Sequence, residues 1–123
     1  MPSGEPLDPQ VLAELRSHFE GQKSVTFDDL LALFVEQLEP RVSAIRAAIE
    51  RGDGGGANAA AHVLRGSSLV VGARPLAELC WQLELAARSG AMAQAQAVMT
   101  RLEVEAARVR RALEEAMQRK TRG

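Results

Sequence analysis

Residues 27–49, with the sequence FDDLLALFVEQLEPRVSAIRAAI, carry an apolar side chain at every third or fourth position. The repeated positions are Phe27, Leu31, Phe34, Leu38, Val42, Ile45 and Ile49. This spacing predicts an α-helix that buries one face. Thr26 followed by Asp29 predicts a capping box at its start. Pro40 lies inside the pattern, and because the apolar spacing continues across it we predict one bent helix, with two separate helices as the alternative.

The composition around this stretch favours a small helical domain. The chain has 123 residues, of which 46% are hydrophobic but only 3% aromatic, and it contains no Tyr. Abundant Ala and Leu, with few aromatic and β-branched residues, argue against an all-β fold. The single cysteine, Cys80, excludes both an intramolecular disulfide and a cysteine-rich zinc cluster.

The charge balance and the N-terminus exclude several kinds of partner. A total of 15 Lys and Arg against 16 Asp and Glu gives a net charge of −1, without the clustered positive excess that nucleic-acid binding requires. Residues 1–5 lack the basic and apolar regions of a signal peptide, and no apolar run is long enough to span a bilayer. We therefore expect a cytoplasmic protein that binds neither nucleic acid nor a membrane.

The two ends of the chain are expected to flank a single domain over residues 9–118. Three of the five prolines, Pro2, Pro6 and Pro9, lie within the first nine residues, and residues 1–8 are predicted to form a flexible lead-in. Asp8 followed by Pro9 predicts the cap and first turn of a short helix that ends near Phe19. The basic residues 119–123 are expected to form a frayed tail.

Glycine and proline divide the remaining chain into three more helices. The glycine-rich residues 51–56 predict a flexible turn, and the next helix is predicted over residues 57–71. Pro75 opens a fourth helix that closes at Ser89 and Gly90. The last helix repeats apolar residues at Ala95, Val98, Leu102, Ala106, Val109, Leu113 and Ala116. Four long helices with short linkers predict an all-α, antiparallel up-down-up-down four-helix bundle with a short additional N-terminal helix.

The third predicted helix has two different faces when its residues are placed 100° apart. The expected core face consists of Ala57, Ala60, Leu64 and Val71. The opposite face consists of His62, flanked by Arg65, Gly66 and Leu69. Leu69 is a large apolar side chain on this outward face, which suits a partner-docking surface; packing against the N-terminal helix is the alternative.

His62 has neighbours that suit a group carrying phosphate. Glycine inside a helix costs about 1 kcal/mol relative to alanine, and Gly66 would remove a side chain that crowds the imidazole one turn earlier. Arg65 supplies a permanent cation within reach of the ring. On spacing alone, an ordinary surface histidine such as His18 is the alternative.

Residues 61–73, AHVLRGSSLVVGA, resemble the signature of histidine-containing phosphotransfer (HPt) domains, His-x-Leu-Lys-Gly-Ser-x-x-x-x-Gly. The matching positions are His62, Leu64, Gly66, Ser67 and Gly72. The sequence departs from the signature at Arg65, where lysine is usual. Similarity continues through residues 76–80 and 83–84 and in the segment 33–37, so that the resemblance spans most of residues 26–115.

The resemblance implies a role for each matching residue. His62 would accept and donate the phosphoryl group, with Gly66 giving access and Arg65 countering the phosphate charge. Gln37 would hydrogen-bond the imidazole or its phosphoryl group from the second helix. Ser67 would add a hydroxyl contact, or would simply pack between helices.

The resemblance also implies the partners of the chain. It would be a monomeric phosphocarrier with no ATP or metal site of its own, exchanging phosphate with response-regulator receiver domains or a hybrid histidine kinase. A receiver domain would supply the acceptor aspartate and Mg²⁺.

Other function classes stay open. One is a helical adaptor that binds a signalling partner without phosphate, and another is the HPt module of a larger hybrid kinase, although Met1 favours a free-standing protein. A dimerising histidine-kinase domain is disfavoured, because Val63 rather than a charged residue follows His62.

Overall fold

The computed structural model describes residues 4–122, with side chains for residues 4–117. It contains five helices: α1 Pro9–His18, α2 Phe27–Glu50, α3 Gly54–Val70, α4 Arg74–Arg88 and α5 Met92–Arg122. No strand occurs in the described part of the chain, and the all-α class is confirmed. Helices α2 to α5 pack in chain order against one another, and α2 also packs against α5, so that the four enclose one core.

The apolar repeats of α2 and α5 form much of this core. Every repeated position of α5 is buried, and so is every one of α2 except Phe34, which is half-buried. Leu31 and Ile45 are fully buried, and each such side chain contributes about 2 kcal/mol by leaving water. The capping box of Thr26 and Asp29 is present, and α2 continues through Pro40 as one helix, as predicted.

The glycine-rich segment differs from the flexible turn that we expected. Helix α3 begins at Gly54, and the carboxylate of Asp53 accepts a 2.8 Å hydrogen bond from the N–H of Gly56. A Cβ added to Gly54 would lie 2.7 Å from the carbonyl oxygen of Ala87, at the end of α4. The first glycine therefore permits a close approach between two helix ends, which local sequence patterns do not reveal.

The N-terminal segment is also more ordered than predicted. Leu7 is buried in the core, and the N–H of Asp8 donates a 2.8 Å hydrogen bond to the carbonyl oxygen of Gly72. The carboxylate of Asp8 accepts from the N–H of Gln10 and so caps α1, as predicted. The flexible lead-in was wrong for Leu7 and Asp8, because both are held by the bundle; residues 1–3 lie outside the described residues.

Helix α5 is the longest helix and extends to Arg122. The backbone of residues 119–122 continues this helix, within the segment predicted to form a frayed tail; Gly123 lies outside the described residues. Among the helices that the structure describes, none combines the length and the apolar content that crossing a membrane requires.

Candidate functional site

The side chain of His62 lies on the outer surface of the bundle, near the middle of α3. It is 68% exposed, whereas Ala61 and Leu64, on the other side of the helix, are fully buried. The buried face of α3 is turned by about 30° from the predicted one, so that Ala60, expected in the core, is only partly buried. The outward position of His62 is nevertheless as predicted, and the imidazole is accessible on a helix that is fixed by packing.

One nitrogen of the imidazole is engaged and the other is free. Nδ1 lies 3.3 Å from Oε1 of Glu84 on α4 and 3.1 Å from Nη2 of Arg65. Nε2 makes no hydrogen bond to any residue that the structure describes. When Nδ1 carries the proton and donates it to the carboxylate, Nε2 has an available lone pair. In that tautomer, Nε2 is the nitrogen that is available to act as a nucleophile.

Glu84 is a buried carboxylate beneath this histidine, with a side chain only 4% exposed. Its two oxygens accept from Arg65, at 2.5 Å from Nε to Oε2 and 3.3 Å from Nη2 to Oε1. Burial of a carboxylate is costly unless it is paired, and a two-pronged guanidinium contact is well suited to pairing it. These hydrogen bonds raise the pKa of the Arg65 guanidinium above its ordinary value. The cation that the sequence places near the ring is thus already paired with Glu84.

Trp81 covers the guanidinium of Arg65 from the α4 side. The Arg65 Cζ atom lies 5.0 Å from the centroid of the indole ring, and that of Arg88 lies 5.6 Å away. Both distances fall within the range of cation–π attraction. The indole is 38% exposed, and it lies three residues before Glu84, on the same face of α4. Together, the ring and the carboxylate hold Arg65 beside His62.

Gly66 and Leu69 leave open surface around the imidazole. A Cβ added to Gly66 would have no heavy atom within 4 Å. The expectation that a side chain here would crowd the imidazole is therefore wrong for the isolated chain. Leu69 is 51% exposed rather than covered by α1, and it lines a shallow groove of about 390 Å³ together with Arg65 and Trp81.

Gln37 and Ser67 are brought together by a residue that the sequence analysis did not single out. Arg41 donates from Nη2 to Oε1 of Gln37 at 2.5 Å and from Nη1 to Oγ of Ser67 at 2.6 Å. The Gln37 amide oxygen therefore bonds Arg41, not the imidazole, because Arg41 lies one turn away on the same helix. Ser67 also donates to the carbonyl oxygen of Val63. The hydroxyl thus ties α2 to α3, which agrees with the packing alternative.

Glu84 and Trp81 were also missed by the sequence analysis. Glu84 shares a buried face of α4 with Ala77, Cys80 and Ala87. An acidic residue within an apolar repeat is a recognisable signal, because such a residue needs a partner when buried. Trp81 has no comparable signal, since its role depends on which side chain of α3 lies opposite.

Comparison with protein families identifies the class. The sequence model of the Hpt domain matches residues 29–119, and the chain belongs to that family, confirming the resemblance of residues 61–73. It is accordingly a phosphotransfer protein, from a family of phosphocarriers that interact with receiver domains in phosphorelays.

A solved structure agrees with this assignment. The crystal structure of histidine-containing phosphotransfer protein B (HptB) from Pseudomonas aeruginosa PAO1 is similar over 95% of this chain and 98% of that one, with a TM-score of 0.86 and 35% sequence identity. Comparison with curated protein sequences gave no match.

Proposed function

We propose that His62 accepts a phosphoryl group from the aspartate of one receiver domain and passes it to another. The observation that carries this proposal is the division of the imidazole into an engaged Nδ1 and a free Nε2, on an outward and rigid part of α3. A phosphocarrier needs a reachable nucleophile with an available lone pair. His62 is exposed, and its Nε2 has that lone pair when Nδ1 carries the proton.

The chemistry follows from that division. With the proton on Nδ1, the Nε2 lone pair attacks phosphorus, the N–P bond forms, and the P–O bond to the receiver aspartate breaks as the carboxylate leaves with the electron pair. Donation reverses these steps toward a second aspartate. Positioning and charge stabilisation dominate such transfers. A Mg²⁺ ion usually contributes, and we assign it to the receiver domain, as the resemblance of residues 61–73 implies.

The supporting residues differ in how they would act. Arg65 lies beside Nδ1 and also pairs with the buried carboxylate of Glu84, which it keeps in place. Gly66 leaves room for the receiver to approach Nε2. Gln37 and Ser67, joined by Arg41, would hold α2 and α3 in register at the edge of the site.

The docking surface for the receiver would be the outer face of α3. Val63, Leu69 and Val70 are exposed apolar side chains on the helix that carries His62. Transient interfaces commonly have an apolar centre with a polar rim. Here Arg65 and Gln37 would contribute to the rim, and Leu69 to the apolar centre.

The proposed carrier is an up-down-up-down bundle that acts as a monomer in the cytoplasm. Connections of three residues, 51–53, 71–73 and 89–91, support the up-down-up-down arrangement, because short turns require antiparallel neighbours. A monomeric state and a cytoplasmic location stay predictions. A non-phosphorylated adaptor and the module of a larger hybrid kinase remain the alternatives.

The chain provides its own control for the decisive experiment, because it contains two histidines, His18 and His62. A receiver domain carrying labelled phosphate is mixed with the wild type, His62→Gln or His18→Gln, and the acid-labile, base-stable label on the chain is measured. We expect His62→Gln to abolish labelling and His18→Gln to leave it unchanged. Labelling retained in folded His62→Gln would overturn the assignment. A receiver that binds the wild type without transferring phosphate would favour the adaptor.

A further inference from the structure

The two contacts at Nδ1 of His62 require opposite positions of the imidazole proton. A carboxylate oxygen only accepts hydrogen bonds, so the Glu84 contact at 3.3 Å requires a proton on Nδ1. A guanidinium nitrogen only donates, so the Arg65 contact at 3.1 Å requires a lone pair on Nδ1. A neutral imidazole can satisfy only one of the two at a time, and the choice determines which nitrogen is reactive.

Arg65 is held so that it can donate to Nδ1 without giving up its own partner. Its Nη2 lies 3.3 Å from Oε1 of Glu84 as well as 3.1 Å from Nδ1. Nη2 carries two hydrogens, so one can bond the carboxylate while the other bonds the ring. The Nε contact to Glu84 and the Trp81 ring fix the rest of the guanidinium. The donor is therefore already in position beside the imidazole.

We propose that Arg65, seated between Glu84 and Trp81, is a positioning residue that donates to Nδ1 of phosphorylated His62 and so prolongs the lifetime of the phosphorylated carrier. The inference rests on the proposed function, in which Nε2 carries the phosphoryl group. It gives Arg65 a role distinct from countering the charge of the phosphate.

The effect on lifetime follows from the leaving group. When Nε2 has formed the N–P bond, the ring carries a positive charge and a proton on Nδ1. In that state the N–P bond breaks to release a neutral imidazole, which is a good leaving group. Loss of the Nδ1 proton to solvent gives a neutral ring that would have to leave as an anion. Arg65 stabilises this long-lived form through the Nδ1 lone pair, whereas Glu84 favours the protonated, transferable form.

Substitution of Trp81 distinguishes this role of Arg65 from that of a simple counter-ion to the phosphate. The ring holds Arg65 at the level of Nδ1, and no other aromatic side chain in the described residues is stacked on this guanidinium. If Arg65 served only to neutralise phosphate, its release by Trp81→Leu would leave the lifetime unchanged or lengthen it. If Arg65 acts at Nδ1, the same release shortens the lifetime. A shorter lifetime in Trp81→Leu is thus expected only if Arg65 acts at Nδ1.

The test uses the full chain and a small donor, so that it does not depend on a receiver. The wild type, Arg65→Gln, Trp81→Leu and Trp81→Phe are phosphorylated with potassium phosphoramidate, freed of donor, and followed by ³¹P NMR. We expect the half-life to fall about fivefold in Arg65→Gln, the factor expected for one lost hydrogen bond. It should fall about threefold in Trp81→Leu and recover in Trp81→Phe, whose ring still attracts a cation. Helical content by circular dichroism identifies any variant that fails to fold.

A second readout does not require phosphorylation. The ¹⁵N chemical shifts of the free His62 imidazole report which nitrogen carries the proton, and we expect Arg65→Gln and Trp81→Leu to move the ring toward the form protonated on Nδ1. A purely structural role of Arg65 would not move this balance.

The outcomes separate the inference from the function beneath it. Unchanged or longer half-lives in folded Trp81→Leu, or an unchanged proton position in both variants, overturn the inference alone. A wild type that cannot be phosphorylated on His62 by phosphoramidate or by any receiver overturns the proposed function, and the inference with it.

Discussion

The backbone N–H of Asp8 donates a 2.8 Å hydrogen bond to the carbonyl oxygen of Gly72, joining the entrance of α1 to the turn that ends α3. The carboxylate of Asp8 also lies 3.3 Å from Nε of Arg74, the first residue of α4. The N-terminal segment therefore fixes the turn between α3, which carries His62, and α4, which carries Glu84. Since the site depends on the register of these two helices, the segment belongs to the functional unit.

Gly72 should tolerate no side chain. Its φ is +75°, and an added Cβ would lie 2.9 Å from Cβ of Val11 on α1. We expect Gly72→Ala to reduce the free energy of unfolding by about 1–3 kcal/mol, because a left-handed backbone and a close contact are both penalised. Urea denaturation measures the loss, and a variant as stable as the wild type would contradict the described packing of α1.

Gly66→Ala should have the opposite effect on stability. An added Cβ would meet no heavy atom within 4 Å, and alanine is favoured over glycine inside a helix by about 1 kcal/mol. We expect a slightly higher melting temperature together with slower transfer from a phosphorylated receiver, because the methyl group lies on the surface where the receiver approaches Nε2. Normal transfer by the stabilised variant would show that the clearance at Gly66 is not used.

Leu69→Asp should weaken docking without weakening the fold. Leu69 is half exposed, and substitutions at such positions away from special features usually change stability by about 0.5 kcal/mol or less. We expect lower affinity for the receiver and slower transfer, with an unchanged melting temperature. Val104→Asp is the matched control, because Val104 is an exposed valine on α5, which packs mainly against α2 and α4. A large loss of stability, or unchanged affinity in a stable variant, would reject this docking surface.

Cys80 should be almost inert toward thiol reagents in the folded protein. Burial, followed by the nearby charge of Glu84, raises the pKa of the thiol from 9.0 to about 12. At pH 8 the folded protein should therefore contain about a thousandfold less thiolate than the unfolded chain. The rate of alkylation by iodoacetamide, measured with and without urea, tests this expectation. Comparable rates in both conditions would mean that Cys80 is not buried beneath the site.

The cap of α3 should make stability depend on acid pH. The hydrogen bond from the Gly56 N–H lowers the pKa of Asp53 below its ordinary value of 3.8. The resulting stability is present above the unfolded pKa and is lost as the pH falls through the lower folded pKa. We expect Asp53→Ala to melt at a lower temperature at neutral pH and to lose less stability between pH 5 and pH 2, as measured by thermal scans. Parallel pH curves for the two proteins would contradict the cap.

The parts of the fold that the sequence predicts are those set by local patterns. The apolar repeats of α2 and α5, the box at Thr26 and the cap at Asp8 each depend on residues within a few positions, and all four are present. The start of α3 was not predicted, because the need for glycine at position 54 comes from its close approach to Ala87, more than thirty residues away. Leu7 was missed for a similar reason, since a single apolar residue among prolines has no periodicity.

The site divides in the same way. The face of α3 that carries His62 can be predicted from helical geometry. The expected role of His62 as a phosphoryl acceptor comes from the resemblance of residues 61–73. The partners of His62 on α4 cannot be predicted in either way, because they depend on the register between two helices. Arg65 shows the consequence: the sequence identifies a cation near the ring, but only the tertiary structure reveals that Glu84 has already paired it.

Trp81 is the one tryptophan of the chain, and its indole lies against Arg65 at the edge of the proposed docking surface. All indole fluorescence of the protein therefore originates from a ring that is separated from His62 only by the side chain of Arg65. A receiver that covers this surface will change the emission by excluding water from the ring. The encounter between carrier and receiver can thus be timed by stopped-flow optics on the unlabelled protein, with any tryptophan of the receiver replaced beforehand.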